Sequence, residues 1–189
     1  VSCAADGASD VVVFGGCLEC SFDAMVFCQV YGGHREVHRV AGRQHQMCIR
    51  AGGNTLATGA YGNDANGSKA GHVRVYGWDD NEWDQRGSDI DGEASGDNSG
   101  YSVSLSNDGN TVAIGAYHND GSGNSDAGHV RVYNWDNTAW DQRGGDIDGE
   151  ATNDFSGLSV SLSNNGTTVA IGAIGNDGGG NSSAGHGRA

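Results

Sequence analysis

Proline is absent from this chain of 189 residues, and lysine plus arginine number only 10 against 24 acidic residues. No apolar run approaches the roughly 20 residues that a membrane-spanning helix requires, which excludes such a span from this segment. Residues 1–50 hold five acidic and four basic side chains, so residues 51–189 hold nineteen and six, a net of −13. A surface of that sign repels phosphate backbones. We therefore expect no nucleic-acid partner, and cations or basic partners instead. Cysteine is missing after Cys48: all five (Cys3, Cys17, Cys20, Cys28 and Cys48) lie in the first 48 residues. An odd count confined to one end is not a disulfide framework, so the compartment is not legible from thiols. The chain starts at Val1 with no basic n-region followed by an apolar h-region, and reads as a fragment or processed product.

What is present is turn material: 34 glycines with abundant Asn, Asp and Ser. The apolar residues come in short bursts rather than helical stripes, which points to an all-β chain. The bursts repeat. SGYSVSLSNDGNTVAIGAY starts at Ser99 and SGLSVSLSNNGTTVAIGAI at Ser156, 57 residues later; AGHVRVY (Ala70, Ala127) and WDQRG (Trp83, Trp140) keep the same spacing. Within one unit, Tyr101, Val103 and Leu105 alternate with Ser102, Ser104 and Ser106, the period of a strand with one buried face. Asn107-Asp108-Gly109-Asn110 supplies a hairpin turn, and Val112 and Ile114 resume the alternation. Ala113, Gly115 and Ala116 suit a crowded inner strand that tolerates no bulky residue. A polar loop over residues 118–128 leads to a third strand with Val130 and Val132, closed by Trp135. Trp140 to Arg143 then forms a fourth, outermost strand. Four antiparallel strands per repeat of about 57 residues describe a propeller blade.

The Phe155-Ser156-Gly157 and Gly172-Ala173-Ile174 stretches, with Gly115-Ala116-Tyr117 in the preceding unit, make residues 44–189 resemble FG-GAP repeats. Tyr or Ile stands where the family's Gly-Ala-Pro signature has proline. The resemblance implies the β-propeller of integrin α-subunits and many secreted repeat proteins. A WD-repeat has a similar order of hairpin, strand and Trp-Asp, but its blade takes roughly 40–45 residues with Gly-His well upstream of the first strand. Here Gly128-His129 opens the third strand.

The expected organisation is a non-repeat Cys- and His-containing segment over residues 1–43, a degraded blade or a disordered stretch, followed by repeats over 44–189. These are a partial blade (44–88), a full blade (99–145) and a partial blade (156–189). His45, Met47 and Ile49 fall where Tyr101, Val103 and Leu105 stand, on the offset of 56 between Leu56 and Val112. Propellers close with about four or more blades, roughly 230 residues at this repeat length. About two to three blades therefore form an incomplete propeller, either part of a longer product or an open array.

The segments DIDGEASGD and DIDGEATND carry the candidate metal ligands Asp89, Asp91, Glu93 and Asp97, then Asp146, Asp148, Glu150 and Asp154. Read as positions 1, 3, 5 and 9, they match the carboxylate spacing of the calcium loops that the resemblance implies, and calcium needs several convergent oxygens. Gly92 and Gly149, however, stand at position 4 rather than 6. The competing reading is a solvated turn between blades.

Cys17-x-x-Cys20 followed by His34 and His38 fits a loose Cys₂His₂ zinc spacing, but Gly32-Gly33 breaks the helix such a site needs. Incidental thiols and imidazoles are the favoured reading. Trp78, Trp83, Trp135 and Trp140 read as packing between blades rather than a carbohydrate platform. His72, His129 and His186 recur once per unit beside glycine, where a satisfied structural hydrogen bond is the economical account. Asn66-Gly67-Ser68, Asn165-Gly166-Thr167 and Asn181-Ser182-Ser183 are glycosylation acceptor sequences. Lacking a distinctive catalytic constellation, the chain is expected to be a non-enzymatic extracellular or cell-surface segment that mediates adhesion or protein or glycan interaction. The alternatives are a non-catalytic part of a secreted hydrolase or lyase, or a truncated fragment without independent function.

Overall fold

A computed structural model describes residues 48–52, 54–177 and 186–188. The readings placed on residues 1–43, including Cys17, Cys20, His34 and His38, lie outside the described residues, as does Asn181.

The structure is all-β, in three antiparallel sheets that follow the repeat. The first sheet runs β1 (Cys48–Gly52), β2 (Thr55–Ala60), β3 (His72–Trp78) and β4 (Trp83–Gln85), with β5 (Ile90–Asp91) also on β3. The second repeats it with β6 (Ser102–Leu105), β7 (Thr111–Ala116), β8 (His129–Trp135), β9 (Trp140–Gln142) and β10 (Ile147–Asp148). The third contains β11 (Ser156–Leu162), β12 (Val169–Ala173) and β13 (His186–Arg188). Ala60 faces His72, Ala116 faces His129 and Ala173 faces His186, so all three sheets share one register between their second and third strands.

One sequence alignment shifts. Cys48 pairs with Gly59 as Ser102 pairs with Gly115, so β1 stands 102 − 48 = 54 residues before β6. Ile49 therefore occupies the position of Val103, not that of Leu105. The cause is the turn: Gly52 pairs with Thr55, leaving two residues between them, where the second sheet needs the longer segment 106–110 before Thr111.

The second sheet is covered on both faces. Val103, Leu105, Val112, Ile114 and Tyr133 pack with Ala57, Val73, Val75 and Ile90 of the first sheet. Ala113, Val130 and Val132 pack with Leu162 and Ile171 of the third. Each buried Val, Leu or Ile contributes about 1.5–3 kcal/mol. The serine face of β6 is consequently not solvated, contrary to the one-faced alternation. Ser102 and Ser104 are buried; the Ser102 hydroxyl donates to the Gly157 carbonyl at 2.6 Å and Ser104 Oγ accepts from the Leu162 amide at 3.0 Å. Small hydroxyls serve there because they satisfy backbone groups of a sheet packed directly against them. A Cβ on Gly115 would be driven into the Gly157 carbonyl and the Ser102 hydroxyl, which explains the small residues of the inner strand.

Candidate functional site

The acidic segments form the connectors between sheets, and their glycines explain their path. The Gly92 amide donates to the Gly71 carbonyl at 2.8 Å, and Gly149 to Gly128 at 2.7 Å. A Cβ at Gly92 or Gly149 would strike the Ala70 or Ala127 carbonyl. The glycine at position 4 thus permits close backbone passage. Each connector is also more than a turn. Ile90 and Asp91 pair with Val73 and His72, and Ile147 and Asp148 with Val130 and His129, so each connector joins β3 or β8 at the end that β4 or β9 leaves unpaired.

The eight acids divide by position. Asp97 and Asp154 are buried anchors. Asp97 Oδ2 accepts from the Ala94 amide at 3.0 Å and from Asn119 Nδ2 at 2.9 Å. Asp154 Oδ2 accepts from the Glu150 and Ala151 amides at 3.0 and 2.9 Å and from Asn176 Nδ2 at 2.9 Å. Both asparagines follow the second strand of the next sheet, so the ninth connector position fastens neighbouring sheets. Asp89 stays with its own sheet. Arg74 grips it through Nε and Nη2 at 2.8–3.0 Å, and Gln85 Nε2 donates at 2.8 Å. The Arg74 hydrogen bond is the main reason its carboxyl titrates below the usual range. Its counterpart Asp146 accepts from Gln142 Nε2 at 2.7 Å, and Asp148 accepts from the Ser122 hydroxyl at 2.6 Å.

Arg131, the counterpart of Arg74, turns the other way. Its Nη2 donates to the Asp91 carbonyl at 2.7 Å and its Nη1 lies 3.5 Å from Glu93, both in the preceding connector. Glu93 therefore leaves its loop-mates and joins the second sheet.

The histidines depart from the expected satisfied hydrogen bond. His72 and His129 are 2% and 1% exposed, and neither Nδ1 has a hydrogen-bond partner among the described residues. His72 Nδ1 lies 3.5 Å from Asp89 and 4.0 Å from Asp91. His129 Nδ1 lies 3.8 Å from Asp146 and 3.9 Å from Glu93. Burial first, then the neighbouring Arg74 or Arg131 charge, pushes both imidazoles below their ordinary pKa. The result is two groups of ligand-type side chains, His72 with Asp89 and Asp91, and His129 with Glu93 and Asp146, each able to hold a metal ion. In the first connector Asp97 is the buried anchor, Asp89 and Asp91 group with His72, and Glu93 groups with His129; in the second, Asp154 is the anchor, Asp146 groups with His129 and Asp148 accepts from Ser122.

The tryptophans pair across hairpins, Trp78 opposite Trp83 and Trp135 opposite Trp140. The Trp140 indole donates to the Arg86 carbonyl of the first sheet at 2.8 Å, while the Arg86 guanidinium lies 4.8 Å from the Trp135 ring centre. Arg86 also donates to Thr55 Oγ1, the Gly109 carbonyl and Asn110 Oδ1 at 3.0–3.1 Å. Arg143 repeats one of these bonds, to the Gly166 carbonyl at 3.0 Å. Sequence reading gave these arginines no role beyond Arg143 at the end of the fourth strand, although both stand at the fourth position of the WDQRG landmark. It also passed over Asn119 and Asn176, whose signal is an Asn-Asp pair after each second strand: Asn63-Asp64, Asn119-Asp120 and Asn176-Asp177.

A surface cleft of about 780 Å³ opens between the first connector and the loop joining β7 to β8. Glu93, Asp97, Asp120, Asp126, Asp146 and Asp148 line it, and Lys69 is its one ammonium group among the described residues. His118 Nδ1 lies 2.7 Å from Asp126 at its wall. Asn66 and Asn165 are both exposed, although the Asn66 amide donates to the Gly92 carbonyl at 2.7 Å.

No curated protein matches the chain. Residues 89–133, from the first acidic connector through β8 to Tyr133, match the FG-GAP repeat, the family that this segment resembles in sequence and in its blade-like sheets.

Proposed function

We propose that the chain is a non-enzymatic segment of an extracellular or cell-surface repeat protein whose connector face engages a protein or glycan partner. The observation that carries this reading is the acidic cleft: six carboxylate residues face one lysine, a field suited to a basic segment or a cation-bridged sugar. The His118–Asp126 pair does not make a nucleophile, because no hydroxyl or thiol bonds to the His118 ring among the described residues. Calcium at the exposed connector acids is part of the proposal. It predicts a higher melting temperature with calcium, reversed by chelator and abolished by Asp91→Asn with Asp148→Asn.

The partner reading is tested by binding the full chain to basic-peptide and glycan arrays. Asp120→Lys with Asp126→Lys should weaken any cleft ligand at least tenfold. Failure of the wild type to bind either array, or binding indifferent to the charge reversal, would contradict it.

A further inference from the structure

We propose that Glu93, His129 and Asp146 bind one divalent transition-metal ion, zinc by preference, across the boundary between the first and second sheets. Their ligand atoms lie within 4.8 Å of one another. Zinc needs nitrogen and oxygen ligands at about 2.0–2.2 Å, so the carboxylate ends must close inward by under about 1 Å. Glu93 and Asp146 are 45% and 32% exposed and have the side-chain freedom to do so. His129 supplies the fixed point. It is 1% exposed, its Nδ1 has no hydrogen-bond partner among the described residues, and that atom faces both carboxylates. A buried polar atom left unmade is costly, and an ion between the three groups removes the cost. Two of the three ligands line the cleft, which gives the ion a route in from solvent and leaves room for water at the remaining positions.

The donor set selects the ion. Calcium takes six to eight oxygens, whereas one imidazole with two carboxylates suits zinc and its neighbours. Glu93 comes from the connector and His129 from the next sheet, so the ion would clip two sheets together. The competing charge, Arg131, lies 3.5 Å from Glu93 Oε1, while the oxygen facing His129 is Oε2. In the matching group around His72, Asp89 has both oxygens engaged by Arg74, and Gln85 adds a further bond. That carboxylate is a poorer ligand, and the His72 group is predicted to bind zinc far more weakly.

The test is calorimetric titration and thermal melting of the full chain with zinc and, separately, calcium, each reversed by chelator. The wild type should bind zinc and melt higher with it. His129→Gln and Asp146→Asn should each lower zinc affinity at least about tenfold, and His72→Gln should leave it within about twofold. Asp146 is on the surface, so Asp146→Asn keeps the test decisive if His129→Gln does not fold, as circular dichroism would reveal. Absence of zinc binding by the wild type overturns the proposal. So does binding that survives in Asp146→Asn and in folded His129→Gln, which would assign the ion elsewhere, Cys17 and Cys20 included. Equal shifts with calcium and zinc, both insensitive to His129→Gln, would overturn the imidazole ligand.

Discussion

The two acidic connectors share a spacing but only half of their contacts. At the ninth position they agree: Asp97 and Asp154 are both buried, both accept from backbone amides of their own turn, and both accept from an asparagine of the next sheet. At the first position both have a glutamine and a histidine beside them, but only Asp89 is also held by an arginine, Arg74. The strands supplying those partners read HVRVY and HVRVY again. What differs is the neighbour. Arg131 has a preceding connector to reach, with the Asp91 carbonyl and Glu93 at its end, and turns to it. Identical local sequence thus yields an anchor common to both copies and a variable end where chemistry can differ.

The largest effect should come from the shared half. Asp97→Ala strands the buried Asn119 amide and one turn amide, Asp154→Ala the buried Asn176 amide and two turn amides, and each should cost about 2–4 kcal/mol in denaturant unfolding. Similar costs at the two sites would sharpen the comparison; a neutral Asp97→Ala would break it. Next come the arginines. Arg131→Ala removes a 6%-exposed side chain bonded across the sheet boundary and should cost about 2 kcal/mol. Arg74→Ala removes a partly exposed pair within one sheet and should cost about 1 kcal/mol or less. Equal losses would remove the distinction between the two ends.

Much of this fold was legible beforehand, and for a physical reason. Alternation and the Asn-Asp-Gly turn are local signals; with the 57-residue spacing they placed β6 to β9, whereas the offset of 56 misplaced β1, whose turn to the next strand is shorter. The serine face was misjudged because Ser102 and Ser104 are polar yet buried, and only the stacked sheet behind them reveals why. Asp97 looked like its neighbours Asp91 and Glu93 in sequence. Burial separates them, and burial depends on where Asn119 comes to rest. The imidazoles were visible as a repeat, but their open Nδ1 atoms follow from three-dimensional packing alone.

A smaller effect should follow pH. Unfolded histidine titrates near its ordinary 6.5, whereas His72 and His129 in the fold titrate lower. Below about pH 6.5 the unfolded chain therefore binds more protons, and stability falls as pH drops toward the folded values. Asp89, with its pKa depressed below 3.8, adds stability that is present above that value and lost as pH falls through the folded one. In chelator, the melting temperature should drop on the order of 5 °C between pH 7.5 and 5.5. His72→Gln and His129→Gln should each flatten that slope, and an unchanged slope in both would contradict their burial as neutral rings.

The central claim is that the acidic connector fastens one sheet to the next, and the Asp97–Asn119 hydrogen bond of 2.9 Å is its most direct expression. A double-mutant cycle of Asp97→Ala with Asn119→Ala, read by denaturant unfolding, isolates that contact. The account predicts a coupling of about 1.5–3 kcal/mol, against roughly zero for a control cycle of Asp91→Ala with Asn119→Ala. Additive losses in the Asp97 cycle would contradict it.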